Sequence, residues 1–249
     1  MKNDQHNFSS SYSQMFDLDI RVKKSKKAIN VIKDHLHELK DLNLLDIGCS
    51  TGIMTNEYSK YFSKTIGIDI DKEAINYALK NFNNQKITFF QASYDDERIT
   101  KQRFDVITCS HIYEHVSDSK DLLDTIYNIL EPGGVCYFVG GNRFKIIEPH
   151  FKLPFLSFLP KKVARLYLKL TKKEGDYYQK HLSLFNLKNL VQKFKIYDYT
   201  IEIISNPTKY SSDDLIKEGS FKQKIYILIA KIFYFLVPTY IWILKKEIK

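Results

Sequence analysis

Leu44-Leu45-Asp46-Ile47-Gly48-Cys49-Ser50-Thr51-Gly52 is an apolar run that closes on an acidic residue and two glycines. A helical pattern starts directly after it, over Ile53–Phe62. Glycine carries no side chain to obstruct a tight turn or a ligand lying against the backbone. The stretch therefore predicts a strand, a ligand-approached turn and a helix. It lacks the GxGxxG spacing of a dinucleotide fingerprint, and no GK[ST] follows, which excludes a triphosphate P-loop.

On either side of this loop the chain alternates. Strand-like runs occur at Leu42–Ile47, Thr65–Ile70, Ile87–Gln91, Phe104–Cys109 and Val135–Gly140. Each has the length and the β-branched or aromatic content of a strand buried on both faces. Helical periodicity fills the gaps at Val22–Leu39, Ile53–Phe62, Lys72–Phe82 and Ser119–Leu130. Alternating β and α predicts an α/β, doubly wound, mostly parallel sheet with right-handed crossovers. Beyond Gly141 the pattern breaks at Pro149, Pro154 and Pro160, then resumes with a helix near Leu187–Phe194 and strands near Tyr197–Ile204 and Thr239–Leu244. We expect one domain over residues 1–249, with a helical lead-in (1–40), a ligand-binding core (41–141), a cap insertion (142–182) and C-terminal helices and strands (183–249).

The chain has 38 Lys and Arg against 29 Asp and Glu. The excess is not evenly spread. Residues 1–150 carry 19 basic and 21 acidic side chains, whereas residues 151–249 carry 19 and 8. The basic half is where a substrate or a surface would be met. Three cysteines without CxxC or Cys/His spacing argue against a disulfide scaffold and a zinc site, and fit a reducing, cytoplasmic setting. The polar start, Met1–Ser13, has no apolar signal core.

Further motifs follow in order. Gly67-Ile68-Asp69-Ile70-Asp71 ends the second strand about 20 residues past the loop, where a carboxylate can accept both ribose hydroxyls. Asp69 and Asp71 are the two carboxylates at that point, and Asp71 suits the cap of the next helix. The third strand runs into Gln91-Ala92-Ser93-Tyr94, and the fourth is Phe104-Asp105 through Ser110-His111-Ile112-Tyr113-Glu114-His115-Val116. Leu130-Glu131-Pro132-Gly133-Gly134 precedes the fifth.

Residues 40–142 resemble the class I S-adenosylmethionine-dependent methyltransferases, in the branch whose first motif reads Asp-Ile-Gly-Cys-x-x-Gly. The resemblance implies a Rossmann-like seven-stranded sheet with a last antiparallel strand and a helical cap, and S-adenosylmethionine as cofactor. It places the loop of Gly48, Cys49, Ser50 and Gly52 along the methionine and ribose, Asp46 where it holds the loop and the cofactor ammonium, Asp69 on the ribose, and Ile70 against the adenine. Ser93 stands where many relatives have an aspartate that bonds the adenine amino group, so Ser93, Tyr94 or nearby backbone takes that part. Ser110 and His111 fall beside the methionine end, while Glu114 and His115 fill structural positions. His181-Leu-Ser-Leu-Phe185 is similar to a segment bordering the substrate pocket.

A sulfonium methyl transfers by in-line displacement, so a base is needed only for a hydroxyl or a protonated amine. The candidates are His181 and His150 first, then Glu148 and His111. No metal is implied. The acceptor expected is a small molecule, lipid or glycan, methylated at oxygen. RNA methylation and a non-catalytic, membrane-associated protein of the same fold are the alternatives.

Two stretches bear on membranes. In 151–173, Val163, Leu166, Tyr167 and Leu170 share one helical face among basic residues, which suits a peripheral membrane contact or, as favoured here, a cap packed on its own core. Ile225–Leu244 is apolar except for Lys231 and long enough to span a bilayer. Pro238 favours instead a helix over Lys222–Val237 followed by a strand.

Overall fold

The structure, a computed structural model, describes residues 13–82, 84–145, 147–148, 151, 153–173 and 180–248. The five apolar runs become β1 (Asn43–Ile47), β2 (Lys64–Asp69), β3 (Ile87–Gln91), β4 (Phe104–Ser110) and β5 (Leu130–Gly141). Around them lie α1 (Leu18–Leu36), α2 (Ile53–Tyr58), α3 (Lys72–Asn81), α4 (Glu97–Thr100) and α5 (Ser119–Ile129). A short ribbon, β6 (Ile147–Glu148) and β7 (Leu153–Pro154), opens the insertion, followed by α6 (Lys161–Leu170). The chain ends through α7 (Leu184–Leu190), β8 (Lys195–Asp198), α8 (Thr200–Ser205), α9 (Phe221–Ile232) and β9 (Thr239–Lys245).

The main sheet has the order β3-β2-β1-β4-β5-β9-β8. β1 to β5 pair in parallel, and β9 runs antiparallel to both β5 and β8. This is the mostly parallel sheet that the alternation predicts, with the seven strands and last antiparallel strand that the resemblance implies. The chain winds outward from β1 to β3, then returns to place β4 on the other side of β1. Ligands in open α/β sheets bind at such a reversal, at the carboxyl ends of the strands.

Both faces of the sheet are covered. Leu45, Ile47, Ile107, Cys109 and Phe138 face one side and bury Leu122, Leu123 and Ile126 of α5. Their neighbours Leu44, Val106, Tyr137 and Val139 face the other and pack on Ala28, Ile29, Val31 and Ile32 of α1. That alternation is the period of two expected of strands between helical layers. Aspartates start the helices: Asp17 accepts the Ile20 amide, Asp71 those of Glu73 and Ala74, and Asp118 those of Lys120 and Asp121. Asp71 is thus the helix cap that the sequence assigns to it. All three cysteines are free and buried.

Three expectations need correction. The strand over Tyr197–Ile204 stops at Asp198, and its second half is helix α8. The Asp198 carboxylate accepts the Thr200 amide at 2.9 Å and the Trp242 indole N–H at 3.0 Å, which turns the chain out of the sheet. Thr200 and Ile203, three residues apart, then bury one helical face. The helix over Lys222–Val237 ends at Ile232, and a 3-10 turn at Tyr234–Leu236 leads to Pro238. In α6 the Val163, Leu166 and Leu170 stripe is exposed, and the helix is seated instead through Ala164 and Leu168 on Leu153 and Leu156. Among the described residues, no helix is long and apolar enough to cross a membrane.

Candidate active site at the carboxyl edge of the sheet

The glycine loop takes its shape from the second strand. Gly48 and Gly52 have φ of +75° and +74°, a region that side chains enter only under strain. The Gly48 and Cys49 amides donate to the Ile68 carbonyl at 2.8 and 3.0 Å. Ser50, also at positive φ, donates its amide to Asp69 Oδ2 at 2.8 Å, and Asp69 Oδ1 accepts the Asp71 amide at 2.9 Å. One carboxylate thus holds the loop and the turn after β2. Each of its oxygens keeps a further lone pair for a ligand. Burial raises the Asp69 pKa against these two backbone bonds.

Asp46 is buried at the end of β1. Its two oxygens accept from Thr108 Oγ1 of β4 at 2.6 Å and Thr55 Oγ1 of α2 at 2.7 Å. Burial pushes its pKa up to about 6, against these hydroxyls and the nearby Arg21 charge. The unfolded aspartate titrates at about 3.9, so as pH rises the unfolded chain releases this proton first. The Asp46 contribution to stability is therefore expected to decline from pH ~4 to ~6 by on the order of 2–3 kcal/mol and then level off. Asp46→Asn should flatten that segment of a plot of urea midpoint against pH.

Arg21, absent from the site read in the sequence, reaches the same place from α1. Its guanidinium interacts with Asp46 and Asp69, and its Nε is buried without a hydrogen-bond partner among the described residues. Burial lowers its pKa and the neighbouring acids oppose this. The only hint in the sequence is that Arg21 is the one arginine among the lysines of α1.

The segment after β4 forms the other wall. Half-buried Ser110 ends the strand. His111 sits at φ +58° with its amide on the Val139 carbonyl at 2.8 Å. Its Nδ1 lies 3.1 Å from Glu114 Oε1, and 46% of the side chain is exposed. Glu114 is 3% exposed, and its Oε2 has no hydrogen-bond partner among the described residues. Burial alone would raise the Glu114 pKa, but the His111 hydrogen bond and the charges of His111, His115 and His181 hold it below the ordinary value. A buried carboxylate that fixes one imidazole nitrogen leaves the other directed elsewhere, the arrangement of an oriented base.

Residues 180–182 cross the ends of β4 and β5. The Lys180 amide donates to the Glu114 carbonyl at 3.2 Å, and the Leu182 amide to Tyr113 Oη at 3.1 Å. Tyr113 Oη itself donates to the Gly141 carbonyl. The His181 ring, 8% exposed, packs over Gly141. Asp46, Gly48, Cys49, Ser50, Gly52, Asp69, Ser110, His111 and His181 thus gather at one sheet edge. Ile70, Ser93 and Tyr94 lie half-buried beyond β2 and β3. The Tyr94 hydroxyl donates to Asp121 Oδ2 of α5, 3.0 Å away. His150 lies outside the described residues.

Residues 21–202 match the family model described as a methyltransferase domain. The ubiquinone biosynthesis O-methyltransferase of Coxiella burnetii is 32% identical over 107 residues, 42% of this chain and 46% of that one. That of Proteus mirabilis is 28% identical over 152 residues, 57% and 62% of the two chains. The chain spans about half the length of the curated relatives it matches. The plantazolicin methyltransferase BpumL, solved with a monoazolic desmethylPZN analog and SAH, superposes with a TM-score of 0.60 at 22% identity, over 96% of this chain and 89% of that one. The fold is therefore shared along nearly the whole length, and the family match includes β1 to β5, the glycine loop and the segment around His181. The chain belongs to the methyltransferase domain family.

Proposed function

We propose that the protein is an S-adenosylmethionine-dependent methyltransferase that methylates a hydroxyl oxygen of a small molecule. The residues present fit the cofactor. Gly48 and Gly52 leave the loop backbone bare, Asp69 has acceptor capacity beyond its Ser50 and Asp71 amide bonds, and the orphaned Arg21 Nε suits the carboxylate of an amino acid. When bound, the cofactor supplies an electrophilic methyl group on a sulfonium. Gly48, Cys49, Ser50 and Ser110 would bind its amino-acid end with Arg21, and Asp69 its ribose.

The observation that carries the oxygen-directed reading is the Glu114–His111 pair at the mouth of the site. Glu114 orients His111, whose second nitrogen is free to take a proton from an acceptor hydroxyl. His181 acts through Glu114 and the Gly141 edge. The two curated relatives, both named for O-methylation in ubiquinone biosynthesis, support the same acceptor class.

The test is a transfer assay with isotopically methyl-labelled cofactor over phenols, catechols, primary amines and RNA. Label on a phenol or catechol is the expected result, and label on amines or RNA alone would overturn the oxygen reading. Calorimetry should show cofactor binding that Asp69→Ala weakens at least tenfold. Asp69→Ala removes the acceptor of the Ser50 amide as well as the ribose contact, so a change under threefold would remove Asp69 from the site.

A further inference from the structure

Helix α9 is built the wrong way round for a core helix. Its inward face carries Gln223 and Ala230. The Gln223 side chain donates to the Ile204 and Ser205 carbonyls at 2.9 and 3.0 Å and accepts the Gly219 amide at 2.7 Å. Its outward face carries Phe221, Ile225, Leu228, Ile229 and Ile232, which are 78%, 41%, 59%, 48% and 61% exposed. At 100° per residue these five fall within about a third of the helix circumference. Phe233 and Phe235, 46% and 50% exposed, extend the apolar surface past the helix end. Such a concentration on one element exceeds the scattered apolar exposure of an ordinary surface.

The charges on α9 identify what covers it. Lys224 and Lys231 flank the stripe on one side and Lys222 on the other, and the helix has no acidic residue. In a two-fold contact the same patch would meet itself, bringing lysines toward lysines on a helix that carries no acid to pair them. Against anionic lipid the same lysines reach the headgroups while the stripe enters the acyl boundary.

We propose that α9 and the turn after it form an interfacial surface that docks the protein on an anionic bilayer. The far end of this surface is fastened to the active-site edge. Asn142, the residue after β5, donates its side-chain amide to the Phe235 and Val237 carbonyls, both at 2.8 Å, and its backbone amide to the Pro238 carbonyl at 2.9 Å. A docked bilayer therefore lies beside the edge that carries the glycine loop and His111. The proposal stands independently of the methyl-transfer reading.

Flotation of the full chain with vesicles of phosphatidylcholine, with and without one quarter phosphatidylglycerol, tests it. Wild type should bind the anionic vesicles at least tenfold better than the neutral ones. Leu228→Glu combined with Ile232→Glu should lower that binding at least tenfold. Lys222→Gln, Lys224→Gln and Lys231→Gln together should lower it at least threefold and flatten its salt dependence. These side chains are exposed, and unchanged thermal unfolding shows that each variant is folded. Three results would overturn the proposal: no binding by wild type, glutamate variants that bind as wild type does, or a dimer in light scattering that the glutamate variant splits. Loss of binding in Leu166→Glu/Leu170→Glu but not in the α9 variant would also overturn it, because docking would then belong to α6.

Discussion

Replacing Gly52 with alanine is expected to weaken cofactor binding at least a hundredfold and to destabilise the fold by about 2–5 kcal/mol. Two costs combine. At φ +74° a Cβ strains the backbone, by about 1–2 kcal/mol. That Cβ would also lie 2.7 Å from both Ala78 Cβ and Phe89 Cζ. Ala78 Cβ is fixed to the backbone of α3 and cannot rotate away, so the loop itself must move. Overpacking of this kind costs roughly 1–3 kcal/mol. Moving the loop displaces the Ser50 amide from Asp69, which is why binding suffers beyond the loss of stability.

Two comparisons separate these terms. Gly219, at the same φ of +74° with nothing within 4 Å of an added Cβ, should show only the backbone cost on conversion to alanine. Gly48→Ala brings its Cβ to 2.1 Å from Ile112 Cδ1, but this is the far end of a flexible side chain that can turn. Its effect should fall between the other two. Urea unfolding and calorimetry with the cofactor measure both quantities, and equal losses for Gly52 and Gly219 would refute the packing term.

The second large effect is expected at His111. Changing it to alanine should lower kcat on a phenolic acceptor by about 10²–10³, or roughly 3–4 kcal/mol of barrier, within the usual range for a general base. Cofactor affinity should change less than threefold. If affinity falls in step with turnover, His111 holds the cofactor instead and takes no proton. Glu114→Gln keeps the shape but removes the charge that orients His111, and should cost about tenfold in kcat. The double variant should be little worse than His111→Ala alone, because residues acting as one unit lose their effect together. His181→Ala should reduce kcat less than His111→Ala does, since His181 packs on Gly141 and its charge bears on Glu114. A larger loss at His181 would make it the base.

Parts of this site were legible in the linear chain. That Asp71 caps the next helix follows from position, because it precedes that helix by one residue. Other parts were not. Tyr94 follows β3 where a ligand contact is expected, yet its hydroxyl meets Asp121, 27 positions away. Tyr197–Ile204 is apolar enough for a strand, but Asp198 serves Thr200 and Trp242 together, and Trp242 reaches it only after β9 enters the sheet.

The sequence by itself determined the five parallel strands, the glycine loop and the family. Each is written in short-range periodicity or in a contiguous motif, and the regular alternation of short apolar runs with helical repeats separates the strands from the helices. Only the tertiary structure decided that the Arg21 charge acts on Asp46, that His181 comes near Glu114, and that α9 turns its apolar face outward. Charge pairing depends on which elements the crossovers bring side by side, and that leaves no local trace. An apolar stripe states that a helix has such a face. What the face meets depends on the opposite side of the helix, where the hydrogen bonds of Gln223 hold α9 against α8.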